Sequence, residues 1–164
     1  DFSPDSAPDD DARYEIDVAA GYAAQLNDRW SVDAALIRYI FPGTAEGIDY
    51  DYTEVTSTLW LDERTGFTFG FARNVDGTDA DARYYAIDHA FGLPFDLGAE
   101  ATAGYYDLDD AYGSAYAYAT LAVQRCRGEN CVSLSLNDTS GSADDIYYRQ
   151  ATGTRLVLSF EYGF

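Results

Sequence analysis

Residues 154–164 read Thr-Arg-Leu-Val-Leu-Ser-Phe-Glu-Tyr-Gly-Phe. Leu156, Leu158, Phe160, Tyr162 and Phe164 alternate with Arg155, Val157, Ser159, Glu161 and Gly163, a period of two that belongs to a β-strand. One face of that strand is wholly apolar. A water-soluble protein rarely leaves such a face at its end with no polar tail to shield it. A strand facing lipid has no such difficulty, because lipid is the solvent for that face.

The same alternation recurs along the chain. In residues 13–24, Tyr14, Ile16, Val18, Ala20 and Tyr22 oppose Arg13, Glu15, Asp17, Ala19 and Gly21. Further segments at 30–41, 50–61, 67–75, 83–92, 97–106, 113–125 and 132–139 lead to the last at 152–164, a reading of nine strands. Phe67, Phe69 and Phe71 share a face, and so do Leu97, Ala99, Ala101, Ala103 and Tyr105. Each segment is about ten residues long, enough for a tilted strand to cross an apolar band of about 25 Å. The links alternate too. Those at 26–29, 62–66, 93–96 and 126–131 are short. Those at 42–49, 76–81, 107–112 and 140–151 are mostly longer and more acidic. This sorting matches short turns on one side of a membrane and longer loops on the other.

Composition removes several function classes. The net charge of -19 repels nucleic acid and anionic lipid surfaces. All ten positive charges are Arg. No run of 18 or more apolar residues exists, so no transmembrane helix is expected, and a barrel needs none. No P-loop, dinucleotide fingerprint, zinc spacing or Gly-x-Ser-x-Gly elbow occurs. His89 follows Asp88 on a strand, so the two face opposite ways and form no dyad. The chain reads as a non-enzyme with no cofactor. Cys126 and Cys131 close a short loop. An even cysteine count in an exported chain reads as a hairpin disulfide, with free thiols as the alternative; a metal site lacks ligands and has no nearby His.

The expected fold is all-β: an antiparallel, up-and-down transmembrane β-barrel forming a single domain over 1–164. Residues 1–12 are a tail or part of an outer loop. Bacterial barrels have even strand counts with both ends periplasmic, so nine strands predict an odd number of further strands before Asp1, and about ten to twelve in the intact protein.

The order of motifs resembles the TorF family of proteobacterial porins. The residues that carry it are Tyr14-Glu15-Ile16-Asp17-Val18, Gly21-Tyr22, Leu26-Asn27-Asp28 and Trp30-Ser31-Val32-Asp33, then Ile37-Arg38-Tyr39, Pro42-Gly43 and Asp49-Tyr50-Asp51-Tyr52-Thr53-Glu54. The likeness is specific over residues 13–61 and continues as strand pattern beyond. Members carry further N-terminal strands. The resemblance implies an outer-membrane barrel in a Gram-negative bacterium and brings no catalytic residues. The ending, Leu156, Leu158, Phe160, Tyr162 and Phe164, is similar to the C-terminal signal that the barrel-assembly machinery recognises. Expected partners are therefore outer-membrane lipid and that machinery, with other membrane proteins or divalent cations at the acidic loops.

Arg13, Glu15, Asp17, Glu54, Asp88, Glu100, Arg155 and Glu161 are the candidates for a charged lumen. They predict either passive passage of small solutes, with cations preferred, or a plugged barrel that scaffolds partners. The acidic loops hold Asp76, Asp79, Asp81, Asp107, Asp109, Asp110, Asp144 and Asp145, without a complete Ca²⁺-loop pattern. Trp30, Tyr50, Tyr52, Trp60, Tyr84, Tyr85, Tyr105, Tyr106, Tyr147, Tyr148 and Phe164 cluster near strand ends, where interfacial girdles are expected. A soluble ligand-binding β-barrel, with tyrosines stacking on carbohydrate, is the alternative class.

Overall fold

The computed structural model describes residues 14–44, 49–147 and 151–162. Among them, nine strands run in chain order: β1 (Ile16–Gln25), β2 (Trp30–Ile40), β3 (Tyr52–Leu61), β4 (Thr65–Arg73), β5 (Ala82–Leu93), β6 (Leu97–Leu108), β7 (Ser114–Arg127), β8 (Asn130–Thr139) and β9 (Arg155–Glu161). Each pairs antiparallel with its neighbours, giving one up-and-down sheet. Among the described residues β1 and β9 do not pair with each other, so the sheet is open. Among the described residues no second layer of sheet or long helix covers it: the helical elements there are a 3-10 turn at Val75–Gly77, the four-residue α1 (Asp109–Tyr112) and a 3-10 turn at Gly141–Asp145.

The short turns all lie at one end. Asn27 closes the first by accepting hydrogen bonds at Oδ1 from the backbone N–H groups of Arg29 and Trp30, at 3.0 and 3.1 Å. Two others place successive residues in the left-handed region, Asp62 and Glu63 (φ 52° and 57°), then Phe95 and Asp96 (φ 68° and 57°). A pair of left-handed residues matches the right-handed twist of the strands it joins. The expected cysteine turn is shorter than read. β7 runs to Arg127 and β8 begins at Asn130, so both cysteines sit inside the ladder.

Register sorts the side chains into two faces. Val18, Leu36, Val55, Phe69, Ile87, Ala103, Leu121, Leu134 and Leu158 stand on the first, which is apolar and exposed. Asp17, Glu54, Gly70, Tyr84, Tyr106, Tyr118, Asn137 and Arg155 stand on the second. The buried apolar cluster also lies on the second face, at the long-loop end. Ala72, Ala82 and Leu108 come from strand ends and Val75 from its 3-10 turn, with Tyr52, Tyr106, Ala111 and Ile146 packed against them. At that end Val75, Ala111 and Ile146, from three of the long links, therefore pack onto the polar face.

Candidate functional site

Below that roof, the polar face forms a cleft of about 540 Å³ lined by Tyr39, Tyr52, Glu54, Tyr84, Tyr106, Tyr116 and Tyr118, with Thr120, Asn137 and Thr139 at one side. The ladder aligns them directly: Tyr39 opposes Tyr52, Tyr84 opposes Tyr106, Tyr106 opposes Tyr116, and Tyr118 opposes Thr139. Tyr39 and Tyr52 stack at 4.4 Å. The remaining rings cross. Tyr84 meets Tyr106 at 5.8 Å and 81°, Tyr106 meets Tyr116 at 5.9 Å and 64°, and Tyr116 meets Tyr147 at 5.6 Å and 87°. Edge-to-face contacts of this kind are favoured by the ring quadrupole.

Small residues make room for the rings. The space a Cβ on Gly70 would occupy holds the Tyr84 ring, with its nearest atom 1.8 Å from that position. Gly104 accommodates Tyr118 in the same way, with ring atoms from 2.3 Å, and Gly66 accommodates Trp60 from 2.9 Å. Each glycine is the direct cross-strand partner of its aromatic residue. Trp60 is further held by its Nε1–H, which donates to Asp33 Oδ2 at 2.7 Å.

Glu54 is the most enclosed charged group described, 8% exposed. It accepts a hydrogen bond from Tyr84. Thr102 donates to Asp88 on the same face, 2.7 Å apart. At the roof, Tyr112 Oη donates to Asp76 Oδ2 at 2.6 Å and ties α1 to the Val75–Gly77 turn. Burial, and then that hydrogen bond to a carboxylate, push the Tyr112 hydroxyl well above its ordinary value.

Over residues 2–160 the chain matches a family described as a bacterial protein of unknown function (Gcw_chp). The chain belongs to the Gcw_chp family. No curated protein and no solved structure matches it.

In this Gcw_chp chain, Glu15 lies just ahead of β1 in the same alternation as Asp17. The register places Asp17, Glu54, Asp88, Glu100, Arg155 and Glu161 on one face, the polar one. They are not gathered into one cluster. Glu15, Asp17, Glu54 and Arg155 lie towards the loop end, Asp88 and Glu100 towards the turns, and Glu161 beside Cys131. Arg13 and Phe164 lie outside the described residues, as does Tyr148. Leu156, Leu158, Phe160 and Tyr162 are all exposed.

Charge is sorted between the faces. Among the described arginines, Arg29 and Arg64 lie in turns, Arg38, Arg73, Arg83, Arg125 and Arg127 stand at strand ends on the apolar face, and Arg155 is on the polar face. The middle of the apolar face carries no charge. The strands bring Asp17, Asp33, Glu54, Asp88, Glu100 and Glu161 to the polar face, while Asp107 and Asp138 stand on the apolar face near its loop end. Cys126 and Cys131 are disulfide-bonded across the ladder with Cα atoms 4.1 Å apart.

Two sequence expectations change. Tyr52, Trp60, Tyr84 and Tyr106, read as girdle residues, stand on the polar face; Trp30, Tyr85 and Tyr105 stand on the apolar one. Nearness to a strand end was the signal used, but parity decides the face, and these four share the parity of Glu54 and Asp88. The acidic loops are also more structured than expected. Asp76 takes the Tyr112 hydroxyl, Asp144 accepts from Thr152, and no three His, Cys, Asp or Glu side chains among the described residues converge as a metal-ligand set. His89 stands on the apolar face, its Nδ1 2.9 Å from Thr65 Oγ1, away from Asp88.

Proposed function

We propose that this chain forms most of a β-barrel of the bacterial outer membrane, with its apolar face against lipid and its polar face lining a lumen. Small solutes cross that lumen passively, cations before anions. The observation that carries this reading is the apolar face. It stays exposed on all nine strands, has no charge at mid-height among the described residues, and carries its charges, mostly arginines with Asp107 and Asp138, at its rims. Lipid satisfies such a face, and Arg at its edges reaches the headgroup level.

Other features agree. A disulfide persists in oxidising compartments such as the periplasm. The excess of carboxylates on the polar face favours cations by field alone. The likeness to TorF porins points the same way. β1 and β9 run in the same direction, so an antiparallel closure takes an odd number of strands between them. One observation favours a second reading, a barrel plugged at its loop end. Val75, Ala111, Ile146, Tyr52 and Tyr106 share one apolar cluster at that end.

Planar-bilayer recording on protein that shows heat-modifiable gel mobility tests the proposal. The expected result is discrete conductance steps whose reversal potential in a salt gradient marks cation preference. Silent, folded protein favours the plugged barrel. A chain that stays monodisperse without detergent overturns the membrane reading altogether.

A further inference from the structure

The tyrosine cleft has a chemistry of its own. We propose that it binds a small organic cation with an alkylammonium head, held against the tyrosine rings with Glu54 as counter-charge. The inference rests on the polar face being a water-filled lumen and names a ligand class for it.

Three observations carry it. The first is ring geometry. Tyr84, Tyr106 and Tyr116 meet at steep angles of 81° and 64°, so they form crossed walls and not a flat platform. A flat saccharide ring stacks best on coplanar aromatic surfaces; a rounded ammonium group fits between crossed ones, in the manner of an aromatic cage. The second is placement. Gly70 and Gly104 let Tyr84 and Tyr118 settle against the sheet, and both rings remain half-buried on the border of the cleft. That leaves ring surface for a ligand.

The third is charge. Glu54 is enclosed, and among the described residues the ion pairs are Arg29–Asp62 and Arg38–Asp51, neither of which involves it. No Arg or Lys lines the cleft. A buried carboxylate with a hydroxyl partner and no counter-ion is costly in its charged form. A cation seated in the cleft supplies what the chain does not, and an anion meets two acidic residues there, Glu54 and Asp138.

Ligand-observed NMR with the full chain folded in detergent micelles tests this without requiring conductance. The probes are choline, its neutral isostere 3,3-dimethylbutan-1-ol, and maltose. Choline is expected to bind about tenfold or more tightly than the isostere. Glu54→Gln is expected to weaken choline by a similar factor and to leave the isostere unchanged. Tyr118→Leu, which leaves Glu54 in place, keeps the test valid if Glu54→Gln does not fold. Equal binding of choline and isostere, tighter binding of maltose, or no choline binding by heat-modifiable protein overturns the inference. In those cases conductance can still stand, so the lumen reading is judged separately. If the chain proves water-soluble, the same titration in buffer decides the cleft alone.

Discussion

On β5, Ile87 and Ala86 are neighbours in sequence and stand on opposite faces of the sheet. Around Ile87 are Phe67 and Ala103, apolar side chains left exposed with nothing folded over them. Around Ala86 are Thr68 and Gly104, with Tyr84, Tyr118 and Glu54 nearby and the long links roofing one end. In a water-soluble sheet the apolar face is the one that other elements cover. Here the covering elements choose the polar face, and the chain spends its tight packing there. The difference teaches that the buried apolar cluster of the described residues lies on the polar face, at its loop end, beside half-buried tyrosines.

The strongest way to break that comparison is to put the same charge on each neighbour. Ile87→Arg in lipid vesicles is expected to cost about 2–4 kcal/mol in denaturant unfolding, as for a cation at mid-bilayer. If the polar face lines a lumen as proposed, Ala86→Arg is expected to cost less than about 1 kcal/mol, since a lumen residue is solvated, and to reduce cation preference. Equal costs on the two faces would end the distinction.

A second set of variants sharpens the packing claim on the polar face. Gly104→Ala places a methyl group 2.3 Å from the Tyr118 ring and is expected to cost about 1–3 kcal/mol. Adding Tyr118→Ala should recover most of that loss, because the clash has gone. Gly92→Ala, where no atom lies within 4 Å, serves as the control and should be near neutral. If Gly104→Ala is as mild as Gly92→Ala in the same unfolding assay, the ring is not held where it lies.

The turn end responds more weakly. Replacing Cys126 and Cys131 together by Ala opens a short loop and is expected to lower stability by about 2 kcal/mol or less on the chain-entropy account. Reducing agent should reproduce the loss in the wild type and leave the variant unmoved. The smallest effect concerns Arg29 and Asp62, which join two turns at 2.8 Å in solvent. The hydrogen bond from Arg29 holds the Asp62 carboxyl below its ordinary value. A lowered carboxyl stabilises the fold above its unfolded-state value and loses that contribution as pH falls through the folded-state value. Asp62→Asn should therefore separate from wild type in melting temperature at neutral pH and converge with it as pH falls through the lowered folded-state value, the gap shrinking with salt.

Much of the architecture was legible in the residues. Nine strands, their order, the sorting of short turns from long links, and the division of Leu97, Ala99 and Ala101 from Gly98 and Glu100 all follow from a period of two. Strand ends were less legible. The ladder carries Cys126 and Cys131 beyond the point where apolar alternation stops, because backbone pairing does not need apolar side chains. The site was least legible. Tyr84 and Tyr85 are identical residues side by side, and composition assigns both to one girdle; register sends one to each face. Nor does any local pattern announce that Tyr84 rests over Gly70, since the two are joined only by pairing across strands.

The sequence by itself determined that this chain makes long alternating strands with one apolar face, because side-chain period and charge placement are local properties. Only the tertiary structure decided where Val75, Ala111 and Ile146 go, and that six tyrosines meet around Glu54. Those groups come from different strands and links. Their meeting depends on cross-strand register and on the folding of loops over one face, which no single stretch of chain encodes.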